Sequence, residues 1–147
     1  MINFRAITED NFEAIVSMKR PDDEPFVASN AYSLAQAWLY REANDMYPAA
    51  IYQDETPVGF MMLDEDAEER CLMLWRIMFP AEKQNQGYGT QAIRLLIELA
   101  RASGKYDFLL LGCHPDNKIA EHVYRKLGFV PTGVVEHGEI EMKLNLL

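Results

Sequence analysis

Apolar residues recur along the chain with two different periods, and the period changes where turn-forming residues cluster. Residues 2–7 read as a short strand, and Thr8 is placed to cap a helix running to about Lys19 with Phe12, Ile15 and Val16 on one face. Residues 20–30 hold both early prolines and the acids Asp22, Asp23 and Glu24, and read as a loop. Ser33-Leu-Ala-Gln36 has the form of a capping box and opens a helix to about Asn44. Apolar runs at 49–53 and 58–63, separated by Asp54-Glu-Thr-Pro57, predict a hairpin. Residues 64–70, with Asp64, Glu65, Asp66, Glu68 and Glu69, read as a solvated turn, and 71–79 as a long apolar strand.

The second half of the chain alternates more regularly. Gln84-Asn-Gln-Gly-Tyr-Gly-Thr90 leads into a helix that runs to about Ser103, places Ile93, Leu96, Ile97 and Ala100 on one face, and ends at Gly104. Residues 108–111 are wholly apolar, as in a strand buried on both faces. Residues 119–127 form another helix closed by Gly128, and 130–135 and 139–146 are terminal strands. In the last of these Ile140, Met142, Leu144 and Leu146 alternate with polar residues, the pattern of a half-buried antiparallel strand. Hairpins on either side of a strand–helix–strand crossover predict an α+β (mixed α/β) domain spanning 1–147.

Composition narrows the function. The 147 residues are 49% hydrophobic, enough for one core. Fourteen Lys and Arg against 23 Asp and Glu give a net charge of −9. That balance argues against nucleic acid as a partner and favours a small cationic one. Two cysteines, Cys71 and Cys113, make neither a disulfide framework nor a metal spacing, which points to a reducing cytoplasm and no metal. No apolar run approaches the roughly 18–20 residues of a membrane span, and the first residues lack the form of a signal peptide.

The chemistry concentrates between residues 79 and 99. A long strand ends, a glycine-bearing loop follows, and an amphipathic helix begins. Gly87 and Gly89 let main chain approach a ligand closely. The first helical turn then presents unpaired N–H groups and the positive end of the helix dipole, which together hold a diphosphate without basic side chains. Thr90 adds a hydroxyl at the same place. The loop has neither a Lys-Ser/Thr ending nor a G-x-G-x-x-G spacing, which weakens nucleoside triphosphate and dinucleotide readings.

Gln84-x-x-Gly87-x-Gly89 resembles the Q/R-x-x-G-x-G/A motif of the GNAT-type N-acetyltransferase superfamily. A second match, Asn117-x-x-Ala120-x-x-x-Tyr124-x-x-Leu-Gly-Phe129, follows in the same order and at the same spacing. Within the superfamily the chain is most similar to bacterial diamine and spermine/spermidine N-acetyltransferases. That likeness is carried by Phe26-Val-Ala-Ser-Asn30, Ser33-Leu-Ala-Gln-Ala-Trp38, Tyr47-Pro48, Pro57-Val-Gly-Phe-Met-Met62, Leu74-Trp-Arg76 and Gly138-Glu139. It departs at Gln86, where the family loop often carries lysine.

The resemblance implies a GNAT-type fold: a mostly antiparallel mixed sheet of six to seven strands, splayed at the cofactor cleft and flanked by about four helices. It implies acetyl-CoA as co-substrate, with Gln84, Asn85, Gln86, Gly87, Tyr88, Gly89 and Thr90 holding the pyrophosphate. Main-chain groups of Ile77 and Phe79 would pair with the pantetheine arm, and Asn117 would contact the pantetheine or its thiol end. Tyr124 would be the general acid, because a phenol stays protonated at neutral pH and can protonate a departing thiolate. Glu24, Tyr47, Trp75 and Glu139 are candidate acceptor contacts. A homodimer is common among such relatives.

The attacking amine must be neutral. For an alkyl amine with pKa near 10.4, deprotonation at pH 7 costs about 4.6 kcal/mol. Glu24, Glu42, Asp64 and Glu139 all remain open as the group that accepts this proton. His114, His122 and His137 read as surface residues, and Cys71 and Cys113 as packing residues. The favoured reaction is acetyl transfer to a polyamine or diamine by direct attack in a ternary complex. The alternatives are another amine (amino acid, aminoglycoside or protein N-terminus) or a non-catalytic acyl-CoA-binding sensor.

Overall fold

The computed structural model describes residues 1–20 and 28–147. Seven strands form one mixed sheet: β1 (Ile2–Arg5), β2 (Met46–Gln53), β3 (Thr56–Asp66), β4 (Cys71–Met78), β5 (Phe108–Cys113), β6 (Val130–Glu136) and β7 (Glu139–Asn145), in the order β1-β2-β3-β4-β5-β7-β6. Every neighbouring pair is antiparallel except β4 and β5, which run parallel. Helices α1 (Phe12–Val16) and α2 (Asn30–Leu39) contact strands on one face. The other face packs apolar side chains of α3 (Tyr88–Ser103) and α4 (Lys118–Lys126).

Sheet alternation sorts the core into two layers. Leu72, Leu74, Leu109, Leu111, Met142 and Leu144 pack with Ile93, Leu96, Ile97 and Ala100 of α3 and with Tyr124 of α4. Ala50, Phe60, Met62 and Met78 pack on Ile15 of α1, with Leu34 of α2 at the margin. The α3 face is the one its helical periodicity predicts. Its ends are set by Gly87 and Gly104, both with positive φ (80° and 68°).

Two helices begin elsewhere than their sequence signals suggest. Thr8 does not cap α1 through its side chain. Its amide donates to Asn11 Oδ1 (2.8 Å) while Asn11 Nδ2 reaches the Ala6 carbonyl (3.0 Å), so a buried Asn11 organises the turn and the helix starts at Phe12. The helix stops at Val16, where Ser17 Oγ returns to the Glu13 carbonyl. Phe12 is exposed, leaving Ile15 as the one buried residue of α1. The apparent capping box at Ser33 does not open α2 either. Ser29 caps it by accepting from Tyr32 N (3.1 Å), and Ser33 is buried in the second turn. The helix ends at Leu39, before a single 3₁₀ turn at Arg41–Ala43.

The acidic stretch is less loop-like than its composition suggests. Asp64, Glu65 and Asp66 complete β3, and Glu65 accepts a hydrogen bond from the Tyr106 hydroxyl. The β5 strand is fully buried on one face only. Leu109, Leu111 and Cys113 are buried, whereas Phe108 and Leu110 line a groove of about 500 Å³ with Val130, Glu141 and Lys143.

Candidate functional site

Where β4 and β5 separate, the structure forms a cleft of about 720 Å³. The two strands pair from Cys71↔Phe108 to Leu74↔Leu111 and no further. The cause lies on β4's other neighbour. Leu63 pairs with Leu74 but Met62 with Arg76, so Trp75 is an extra residue in the ladder. This bulge turns the strand away from β5. Beyond it, the β5-facing main-chain edge of β4 borders the cleft, with Trp75, Ile77 and Phe79 among the lining residues.

The cleft's upper wall is the turn into α3. Asn85 (φ 61°) and Gly87 (φ 80°) both take left-handed backbone conformations. The first bond to close the helix is Gln91 N to the Gly87 carbonyl (3.1 Å). The amides of Tyr88, Gly89 and Thr90 precede it and have no intrahelical acceptor. A Cβ built on Gly87 meets only Gln91 Nε2, at 3.5 Å, and one on Gly89 only the Phe79 ring, at 3.6 Å. The turn is therefore open to a ligand rather than walled off.

Several predicted contacts take different roles. Gln84 turns its Nε2 back to the Phe79 carbonyl (3.0 Å), and its amide donates to Ala81 (3.3 Å). The side chain thus braces the loop and occupies one lone pair of a carbonyl expected to face the pantetheine. Gln86 Nε2 is bonded to the Glu82 carbonyl (3.0 Å) and does not line the cleft. Tyr88 packs beside Phe79, ring centroids 6.5 Å apart, rather than lining the cleft. Gln84, Asn85, Gly87, Gly89 and Thr90 all line it. So does Asn117, whose Oδ1 also caps α4 by accepting from Ala120 N (3.2 Å).

Tyr124 is buried at the far wall, edge-on to Phe129 at 6.2 Å. Burial, chiefly, raises its pKa above the usual 10.0, with Cys113 and Glu139 adding to the rise and Arg20 opposing it. Glu139 and Trp75 also line the cleft. Tyr47 does not: it sits on β2 opposite Leu63, with β3 between it and β4, and its hydroxyl donates to the Asn44 carbonyl (3.1 Å). Glu24 lies outside the described residues.

Other lining residues were not assigned from sequence. Lys83, ahead of the turn into α3, and Lys118, the first residue of α4, line the cleft, so it carries cationic side chains although Gln86 is not lysine. A lysine four positions before the turn glycine was the available signal. His114 and Cys113, read as surface and packing residues, both line the cleft. Burial raises the Cys113 thiol above its usual range, with Glu121 and Glu139 acting in the same direction, which disfavours a nucleophilic thiolate. Arg76 is a lone charge within the apolar β4 run. Its Nη1 donates to Ser33 Oγ (3.0 Å) and to Gln36 Oε1, and its guanidinium lies 4.4 Å from the centroid of the Trp75 ring. The supposed capping-box side chains of α2 are thus the partners of Arg76.

An orphan-amide turn, two lysines lining the cleft and an opened strand edge leading to a buried phenol fit a long acyl thioester with a diphosphate at one end. The comparisons agree. Residues 9–129 match the model of the Acetyltransferase (GNAT) family. The chain is 25% identical over 142 residues to the spermine/spermidine N(1)-acetyltransferase of Bacillus subtilis (strain 168), covering 92% of this chain and 91% of that protein. It is 31% identical over 123 residues to the uncharacterized N-acetyltransferase YbbJ of the same organism, covering 76% of this chain and 74% of that one. Among solved structures, the spermidine N-acetyltransferase of Vibrio cholerae in complex with CoA and spermine superposes with a TM-score of 0.77 at 16% identity, covering 99% of this chain and 95% of that one. The PaiA N-acetyltransferase of Thermoplasma acidophilum in complex with coenzyme A gives 0.73 at 17% identity, covering 99% of each chain. The chain belongs to the GNAT family: it is an N-acetyltransferase, and its acetyl donor is acetyl-CoA.

Proposed function

We propose that the chain, acting as one domain, acetylates a small primary amine of the polyamine or diamine class by direct attack within a ternary complex. The observation that carries the mechanism is Tyr124, a phenol that burial keeps protonated, on the wall of a cleft that opens from an orphan-amide turn. The amine class is supported by the net charge of −9 and by the substrates in the names of two relatives.

The amides at residues 87–90 would hold the pyrophosphate of acetyl-CoA, with Lys83 and Lys118 supplying positive charge in the same cleft. The unpaired edge of β4 at Ile77, continued by Phe79 just past its end, would align the pantetheine arm as an added strand does. Bound there, the coenzyme supplies an activated acetyl thioester. Tyr124 donates its proton as the thiolate leaves, and the buried wall around it keeps water from that bond. A second copy of the chain would cover β6, every residue of which is exposed. Light scattering would give the monomer mass if that homodimer does not form.

The test is a thiol-release assay with acetyl-CoA and matched amines: spermine, spermidine, putrescine, lysine, an aminoglycoside and an N-terminal peptide. Turnover led by the diamines and polyamines is expected. Turnover confined to the last three would remove the polyamine reading while leaving amine acetylation in place.

A further inference from the structure

Arg76 is the one charged residue of β4, and the bulge decides where it points. Side chains alternate along a strand, so an unbroken β4 would set position 76 with Leu72 and Leu74 in the layer against α3. The extra residue at Trp75 inverts that order. Trp75 packs on the layer of Ile15, Phe60 and Met78, and Arg76 turns toward α2. Its Nη1 donates to Ser33 Oγ (3.0 Å) and to Gln36 Oε1. Its guanidinium lies 4.4 Å from the centroid of the Trp75 ring and 5.6 Å from that of Tyr32.

A surface helix ordinarily docks through an apolar stripe. The buried residues of α2 are instead Asn30 and Ser33, while Tyr32, Trp38 and Leu39 are exposed. Leu34 and Ala37 reach the sheet only as half-buried side chains. Asn30 Nδ2 donates to the Ile15 carbonyl (2.8 Å), and Arg76 takes Ser33 and Gln36. Hydrogen bonds have narrow geometry, so they fix the seat of the helix more closely than apolar contact would. Ala28, two residues ahead of α2, lines the cleft, as do Trp75 and Arg76.

With acetyl-CoA on the α3 turn and on the β4 edge at Ile77 and Phe79, the wall bearing Ala28, Trp75 and Arg76 is left for the acceptor. We propose that Arg76 is a positioning residue for acceptor specificity: by locking α2 to the bulged strand through Ser33 and Gln36, it fixes the wall against which the amine binds. This rests on the amine-acetylation reading above. No proton and no bond of the reaction passes through Arg76. Its contribution is the shape of the acceptor pocket, which is the same in the ground state and the transition state. Its effect therefore falls on KM rather than kcat.

Arg76→Gln, Ser33→Ala and Gln36→Leu each break the lock, whereas Gln36→Glu keeps an oxygen facing the guanidinium. Thiol release with the amine the wild type prefers should show KM raised about tenfold in the first three, with kcat within about twofold. Gln36→Glu should stay within about twofold of wild type in both. Ser33→Ala added to Arg76→Gln should cost nothing further, because both cut one network. Should Arg76→Gln not fold, the Ser33 and Gln36 variants decide. Calorimetry should give an unchanged acetyl-CoA affinity, and amide exchange should quicken across residues 30–39 but not in α3. Wild-type KM in Ser33→Ala and Gln36→Leu would overturn the assignment. So would a matching loss in kcat or acetyl-CoA affinity, unchanged exchange in α2, or a Gln36→Glu variant as impaired as Gln36→Leu. If the preferred amine is lysine, an aminoglycoside or a peptide, the polyamine class falls, and the same KM rise on that amine sustains the assignment. Absence of turnover by the wild-type protein on every amine would overturn the underlying reading and this assignment with it.

Discussion

Tyr124→Phe removes one oxygen from the wall of the cleft and leaves the packing of α4 in place. The ring keeps its edge-on contact with Phe129 at 6.2 Å. Among the described residues none is hydrogen-bonded to the hydroxyl, so the fold loses little. The loss falls on the departing sulfur, where charge accumulates only as the carbon–sulfur bond breaks. A hydrogen bond to a charged group contributes about 1.5–3 kcal/mol, more in a buried site than in an open one. At 1.36 kcal/mol per factor of ten, kcat should fall about 10- to 150-fold. Because burial raises the phenol's pKa above 10.0, the wild-type enzyme should show no falling limb from Tyr124 ionisation below that pH. Thiol release gives kcat, and calorimetry gives the acetyl-CoA affinity, expected to change less than about threefold. A variant with wild-type kcat would remove Tyr124 from the chemistry. One that loses acetyl-CoA binding in proportion would make it a binding residue instead.

Three further outcomes follow from particular contacts. Lys83→Ala should weaken acetyl-CoA binding about two- to fivefold at low ionic strength, and the difference should fade on adding salt, as calorimetry across a salt series would reveal. Gly59→Ala should destabilise the fold by about 1–3 kcal/mol in urea unfolding, because the new Cβ would stand 2.7 Å from both the Met78 carbonyl and the Phe79 ring. The Cys71 thiol is pushed up to about 11 by burial first and by Asp66, Glu141 and Asp64 after it, against 9.0 for the free group. Its neutral form is favoured in the folded state, so that stabilisation is complete below pH 9 and is lost as pH rises toward 11. Urea midpoints measured from pH 8 to 11 should fall less steeply in Cys71→Ala than in the wild type.

Local features carried much of the structure. The α3 face came from a period of 3.6, the last strand from a period of 2, and the C-terminal end of α3 from Gly104, whereas its start at Tyr88 lies inside the stretch read as loop. These depend on neighbours within one or two turns, which the sequence displays directly. The orphan-amide turn was legible for the same reason, as was its pairing with Tyr124 through a spaced motif. The places where local signals misled are those in which a side chain found a distant partner. Ser33 and Gln36 have the spacing of a cap, but Arg76, some forty residues along the chain, takes both, and Ser29 does the capping. Asn11 displaces Thr8 because its amide can bridge the Ala6 carbonyl and the Thr8 amide at once.

The end of the cleft proposed for the acceptor is set by tertiary structure. Four acids were equivalent in sequence, since composition assigns no acid to a face. The sheet order brings β7 beside β5, the register sets Glu139 over Gly112, and the bulge at Trp75 opens β4 away from both. Tyr47, an acceptor candidate in sequence, is removed from the cleft by one intervening strand. Helix termini and turn glycines act through bonds a few residues long, so the orphan-amide end of the cleft can be read along the chain. The opposite end depends on which strands lie side by side, and that pairing is fixed only when the whole sheet closes over its core.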